Sequence, residues 1–291
     1  PRSRPDRRRQ DPRLPLTLTM RADPLQVAAA SAFPRATWRA LRLTRLILHL
    51  GWGLIFVGLL FPLLRPDRRL KFRQRWSRQA LSILAIRVDA DVEGCTAGSL
   101  YVANHVSWLD ILALNAARPM AFVSKAEVRE WPLLGWLAAN NDTVFLRRGS
   151  RGHARLVNAE IDALLTQGRD VAVFPEGTTT DGTHLLHFHA ALLQPAIESG
   201  RPIQPVALAY LTADGERCRA AAYVGEMSLL DSLRAILATP SMIVRLRALP
   251  ALTAGSGSRR ELALAAHAAI ALSLGDPPPH TAPGTAPDPQ A

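Results

Sequence analysis

Cysteine is almost absent: Cys95 and Cys218 are the only two, far apart and outside any Cys-x-x-Cys pair. Neither a disulfide framework nor a cysteine-built zinc site is encoded, and a reducing compartment suits the chain. There is no Gly-x-Ser-x-Gly run, which removes the hydrolases built on a nucleophile elbow. Lysine is confined to Lys71 and Lys125, so arginine carries the basicity, a bias of GC-rich coding more than of function. Acidic residues are scarce in one region: residues 1–87 hold 19 Arg/Lys against 4 Asp/Glu, whereas residues 88–291 hold 16 against 20. A basic front on a mildly acidic body predicts an anionic surface as partner, either membrane or nucleic acid. The small-residue cleavage pattern of a secretory signal is missing, and so is any internal repeat.

What is present is apolar mass. A chain of 291 residues, 48% hydrophobic, is ample for one large domain with appendages. Residues 1–34 are rich in Arg and Pro with little periodicity, and disorder is expected there. The first methionine is Met20, and translation starting at that residue is an open alternative. From Leu46 to Leu64 the chain is apolar for 19 residues apart from His49. That is about 28 Å of helix, close to one hydrocarbon core. Both flanks are basic, with Arg39, Arg42 and Arg45 before and Arg65, Arg68, Arg69, Lys71, Arg73 and Arg75 after, so flanking charge does not orient a span. A helix that enters the bilayer, turns near Pro62 to Pro66 and returns amphipathically through Leu70 to Ile86 keeps both flanks at one anionic leaflet. Residues 35–87 are therefore expected to form a membrane-associated helical hairpin, the alternative being a buried core helix. The expected partner is the anionic membrane surface and not nucleic acid.

After Arg87 the texture is α/β. Candidate strands are Ile86–Val92, Leu100–Ala103, Met120–Ser124, Thr143–Leu146, Asp170–Phe174, Ile203–Leu211, Ala220–Val224 and Met242–Leu249. Candidate helices are Trp108–Ala117, Leu133–Ala139, His153–Thr166, Ala190–Glu198, Leu229–Leu237 and Arg259–Leu274. Their alternation predicts an α/β domain over residues 88–274 with a mostly parallel central sheet flanked by helices. Residues 275–291 form a Pro-rich tail expected to be extended and disordered.

One stretch organises the domain: Leu100 to Asp110, LYVANHVSWLD. Asn104 breaks the strand, Ser107 suits the N-cap of the next helix, and His105 falls in the turn between. Asp110 lies five residues on, about 140° around an ideal helix, so it meets His105 only if the histidine sits in the loop. There the pair is a proton acceptor with its orienter. The plainer alternative makes His105 a cap and Asp110 a first-turn acid favoured by the helix dipole. Ser107 as a nucleophile is the weaker reading of that residue beside the N-cap. His184 and His187, one helical turn apart, and His189 have no nearby pair of acids beyond Asp181. They are read as a polar wall of an acceptor site, and no metal is expected.

A second constellation, FPEGTTTDG over residues 174–182, places a carboxylate, a glycine and three threonines at a strand's C-terminal edge, where open α/β sheets bind ligands. Read in order with NHVSWLD, it resembles the glycerolipid acyltransferases of the lysophosphatidic-acid type, a group that includes lyso-ornithine-lipid acyltransferases. Four blocks between Arg35 and Leu211 carry the likeness: Asn104, His105, Ser107, Trp108 and Asp110; then Lys125, Glu127, Pro132 and Gly135 ahead of a strand ending in Arg147 or Arg148; then Phe174 to Thr178; then PIQPVA from Pro202.

The resemblance implies transfer of a fatty acyl group from acyl-CoA or acyl carrier protein to the free hydroxyl of a lysolipid. His105 would be the general base and Asp110 its orienter, Arg147 or Arg148 would contact the acceptor's phosphate, and Glu176, Gly177 and Thr178 would bind the acceptor. Backbone donors near Gly177 are the candidates for stabilising the tetrahedral oxyanion. No bound cofactor is implied, and the cytoplasmic face of a bacterial inner membrane is the expected location. The expected acceptor is 1-acyl-sn-glycerol-3-phosphate, giving phosphatidic acid. Thr179, where many such enzymes have arginine, and HFHAAL in place of a basic Pro-Phe-Lys segment make lyso-ornithine lipid the alternative. A non-catalytic membrane or nucleic-acid scaffold is the distant one, since a scaffold has no need of both His105 and Asp110.

Overall fold

The strands at the centre of the sheet have no polar side to offer water. Every residue of β2 (Leu100–Ala103) and β5 (Val171–Val173) is buried, as are eight of the nine in β6 (Ile203–Leu211). Such strands need cover on both faces, the condition under which parallel sheets form. Seven strands join in the order β1-β7-β6-β2-β5-β3-β4, with β1 at Ile86–Asp91, β3 at Ala121–Lys125, β4 at Thr143–Leu146 and β7 at Met242–Ala248. Among the described residues every pairing of these strands is parallel except β6 with β7. The computed structural model describes residues 35–92, 94–147 and 151–275, and the expectations for residues 1–34, for Arg148 and for residues 276–291 fall outside that range.

The period of two along β2 divides the core. Tyr101 and Ala103 face one layer, with α2 (Pro66–Ile83), α3 (Leu109–Ala117) and α7 (Leu229–Ala238) supplying Leu81, Leu109, Leu114 and Ile236. Leu100 and Val102 face the other, filled by Ile161 and Leu165 of α5 (Arg151–Thr166), Ala196 of α6 (Gln194–Glu198) and Leu262, Ala266 and Ile270 of α8 (Arg259–Leu274). Among the described residues the remaining α-helix of the domain is α4 (Leu134–Ala139).

Three expectations need correction. Ala220–Val224 is not a strand: Arg219–Ala221 is a 3-10 turn, and the Tyr223 N–H goes to Val106 O at 3.0 Å instead of to a ladder. β6 already pairs with β2 on one side and β7 on the other, so no edge is left for it. The Ala190–Glu198 helix is split into a 3-10 turn, Ala190–Leu193, and the short α6, which begins with Pro195 in its first turn. Gly275, counted with the tail, is the left-handed C-cap of α8 (φ +77°).

The hairpin is formed by α1 (Arg35–Leu59), a 3-10 turn at Phe61–Leu63, and α2. Trp76 of α2 stacks on His49 of α1 with ring centroids 4.9 Å apart, and a Cβ at Gly53 would stand 2.6 Å from the indole nitrogen, so the crossing requires glycine there. Further along, Phe56 stacks on Phe72 at 3.8 Å. At the base Arg42, 3% exposed, donates to the carbonyls of Ile83, Leu84, Leu237 and Thr239, the unsatisfied C-terminal carbonyls of α2 and α7. Beyond that anchor α1 and the turn keep only an inner seam buried, with Leu46, Val57 and Phe61 on it. Ile47, Leu48, Trp52, Ile55, Leu59 and Leu63 are each more than half exposed, and the apolar window of Ala36–Leu59 is only 22% buried. A core helix would bury this face; its exposure fits association with a membrane.

Candidate active site

β2 and β5 are parallel neighbours, so the loops that follow them leave the sheet at the same edge. The Asn104 amide replaces the ladder where β2 ends, accepting from Leu208 N at 2.8 Å and donating to Leu208 O at 2.9 Å. This frees the backbone of His105 to be held by the other loop. Its N–H donates to Glu176 Oε1 at 2.7 Å, and its carbonyl accepts from Thr180 N at 2.8 Å. Phe174 stacks on the imidazole, with centroids 4.0 Å apart and planes 11° apart.

His105 Nδ1 lies 2.8 Å from Asp110 Oδ2. The same oxygen accepts from Val106 N at 2.8 Å and Ser107 N at 3.0 Å, while Oδ1 accepts from the Tyr210 hydroxyl at 2.8 Å. Asp110 is fully buried, and four donors compensate the loss of water. Because the carboxylate only accepts, the imidazole carries its proton on Nδ1 and leaves Nε2 a lone pair. The ring retains 20% of its side-chain exposure, enough to meet a substrate. Ser107 does not act as the cap predicted for it. Its hydroxyl is buried without a hydrogen-bond partner among the described residues, and Asp110 instead reaches back from the first turn to the buried amides of Val106 and Ser107.

Glu176 is 4% exposed, and its second oxygen accepts from Leu186 N at 2.8 Å. Burial pushes its carboxyl above the usual range, and the Leu186 and His105 amides offset part of that rise. Both oxygens thus bind loop backbone, holding His105 in place. Gly177 takes a left-handed φ of +70°, and its N–H closes a turn on Phe174 O at 3.0 Å, so that amide is already engaged. Thr178 is exposed beside it. Thr179 Oγ1 donates to Tyr223 O, which closes the position where a cation would follow the glycine turn.

The fold therefore gathers His105, Asp110, Glu176, Gly177 and Thr178 at one loop cluster. Arg147, exposed, leaves the same edge from β4 at the margin of the sheet, its N–H 3.2 Å from His153 Nδ1. Sequence reasoning missed Tyr210 and Tyr223, and read Thr180 only as one of three threonines at the strand edge, not as the donor that holds the His105 carbonyl. A single tyrosine in the aliphatic second half of the strand was the signal available for the first; the other two act through backbone atoms and left none. His184 Nδ1 is 3.6 Å from Asp181 Oδ1, and the rings of His187 and His189 lie edge to face at 6.0 Å.

Comparison with known proteins decides the family. The acyltransferase family model matches residues 86–209, from β1 to near the end of β6. A lyso-ornithine lipid O-acyltransferase of Pseudomonas aeruginosa is 40% identical over 206 residues, 71% of this chain and 79% of that protein. The chain belongs to the acyltransferase family. A 1-acyl-sn-glycerol-3-phosphate acyltransferase of Neisseria meningitidis is 39% identical to this acyltransferase over 148 residues, 51% of the chain and 58% of that protein. The fold is that of the Thermotoga maritima 1-acyl-sn-glycerophosphate acyltransferase crystal structure, with a TM-score of 0.60 at 22% identity, covering 81% of this chain and 96% of that one.

Proposed function

We propose that this acyltransferase moves a fatty acyl group from a thioester to the free hydroxyl of a lysolipid, with His105 as general base. The observation that carries the proposal is the 2.8 Å contact of His105 Nδ1 with a saturated, buried Asp110, which leaves Nε2 to accept the hydroxyl proton. As that proton moves to Nε2, the substrate oxygen bonds to the thioester carbonyl carbon; the C–S bond then breaks, and the proton passes on to the leaving thiolate. The imidazolium formed in between is stabilised by Asp110 and stacked on Phe174. The attacking oxygen is the substrate's own, so no acyl-enzyme is required. Acyl-CoA and acyl carrier protein both present the reacting carbonyl.

For the acceptor, lyso-ornithine lipid is the better supported. Thr179 is bonded to Tyr223 O where a phosphate-binding cation would stand, and the relative covered over 79% of its length bears that activity in its name. Lysophosphatidic acid is supported by Arg147, exposed at the same sheet edge. The exposed apolar face of the hairpin supports membrane association, and its two basic flanks suit the anionic cytoplasmic leaflet of a bacterial inner membrane. The test is thiol release by the detergent-solubilised protein with each lysolipid in turn, beside His105→Ala. Release that needs His105 and either lysolipid is the expected result; release indifferent to His105 refutes the mechanism.

A further inference from the structure

Behind the strap that runs from Gly182 to Ala191, the surface of α8 closes a cleft of about 800 Å³ that the reaction above does not use. Its size suits a small-molecule ligand. Phe188, Ala263 and Leu264 give it an apolar wall, while Arg259 and Arg260 enter from α8 and His184, His187 and His189 from the strap. No acidic residue is among those that line it. Glu261, next in sequence, is turned into the capping box of α8, accepting from Ser258 N at 2.7 Å. The cleft is built for an anionic group carried on a less polar arm.

Two observations say which one. First, the strap is also a wall of the reacting centre. Leu186 N donates to the Glu176 carboxylate that holds His105, and His189 N donates to Pro175 O at 2.9 Å. Second, Phe188 and Ala263 belong to the core layer on the α5–α6–α8 face, whereas Leu46 and Leu81 of the hairpin pack into the opposite layer. On the acyl-transfer reading a lipid acceptor would come from the membrane at the hairpin's side of the sheet. The cleft therefore serves the water-soluble substrate.

We propose that this cleft binds the phosphate-bearing pantetheine arm of the acyl donor, with Arg259 and Arg260 on its phosphate oxygens and the apolar wall along the arm. The inference rests on the acyl-transfer reading. Guanidinium forks suit phosphate, and losing two such charge-assisted contacts costs on the order of tenfold or more in affinity. Both arginines are exposed, so the double variant Arg259→Ala/Arg260→Ala leaves the core untouched.

The test compares KM values for acyl-CoA, acyl-loaded acyl carrier protein and acyl-N-acetylcysteamine, the last a thioester without phosphate. We expect the double variant to raise KM about tenfold or more for a phosphate-bearing donor. Its kcat, its lysolipid KM and its use of the phosphate-free thioester should hold, and Arg259→Lys/Arg260→Lys should recover part of the loss. Whether acyl-CoA, acyl carrier protein or both show the rise identifies the source of the arm. An unchanged donor KM, or a rise in the lysolipid KM instead, overturns the site. Binding of coenzyme A and of holo-acyl carrier protein by calorimetry gives a readout free of turnover. Weaker binding of either one to the alanine variant supports the cleft even if no acyl group moves to either lysolipid, a result that would sink the acyl-transfer reading alone, and equal binding of both refutes the cleft.

Discussion

The loop around Asp110 and the base of the hairpin around Arg42 solve the same problem with opposite charges. Each buries an ion among backbone groups that have lost their regular partners: Asp110 gathers the amides of Val106 and Ser107, and Arg42 gathers four helix-terminal carbonyls. The difference lies in what else the ion holds. Asp110 also holds His105 and Tyr210, one partly exposed and able to exchange a proton. Arg42 holds main chain only, and past it the helices leave their apolar face to the surroundings. On the proposed mechanism one buried ion tunes the reacting group while the other docks the hairpin, so substitutions should separate activity from stability.

The largest effect is expected at His105. His105→Ala should lower acyl transfer by about 10² to 10⁴-fold while the denaturant midpoint stays near that of the parent, because the ring is partly exposed and its backbone bonds remain. A large fall in the midpoint would mean that the loop depends on the ring for structure. At the other anchor the pattern should invert. Arg42→Met strips four carbonyls of their donor, and urea unfolding should show a loss of about 3 kcal/mol, with kcat per folded molecule unchanged in detergent. Loss of kcat in the folded fraction would join the two regions that the comparison separates.

A third site, at the opposite sheet edge from His105, carries a smaller effect with a pH signature. Asp142 pairs with Arg169 and with Arg73 of α2, and Arg73 is 5% exposed. Burial opposes ionisation of Asp142, but the guanidiniums of Arg169 and Arg73 outweigh it and hold the carboxyl below its usual range. A lowered carboxyl stabilises the fold above its unfolded value near 3.8 and loses that contribution as pH falls through the folded value. Asp142→Asn keeps the left-handed φ of +58°, which asparagine tolerates, and removes only the charge. It should cost about 2 kcal/mol at neutral pH, less than a fully buried pair because Asp142 is a third exposed. The gap from the parent should close below pH 3.8; a gap independent of pH would show that the ion pairs do not support the hairpin.

The pattern of what could be read from the chain follows from range. β2, β4, β6 and α8 have the same bounds in sequence and structure, because period and length are local properties of the chain. His105 and Asp110 were legible as a pair because five residues and one strand-to-helix turn leave them a single way to meet. Ala220–Val224 misled because its apolar run is equally suited to a strand or a buried loop, and the choice depended on β7 having taken the free edge of β6. Glu176 was legible as a carboxylate near the site. That its oxygens hold the backbone of residues 71 behind and 10 ahead was not, since such bonds depend on loop closure.

Tyr210 is the sharpest instance of that hidden range, 100 residues from Asp110, and it carries the smallest predicted effect. Burial, with Asp110 beside it, raises its hydroxyl well above the usual phenol range, so it remains a donor throughout the working pH of the enzyme. Tyr210→Phe keeps the ring in the core and deletes the bond to Oδ1. A buried acceptor left unsatisfied costs about 1–2 kcal/mol of stability. The carboxylate, with one of its four donors gone, is fixed less firmly and orients His105 less well, so kcat/KM should fall at constant pH. If stability falls but kcat/KM holds, Tyr210 only fills the core; if both fall, the ion at Asp110 is set from β6 as well as from its own loop.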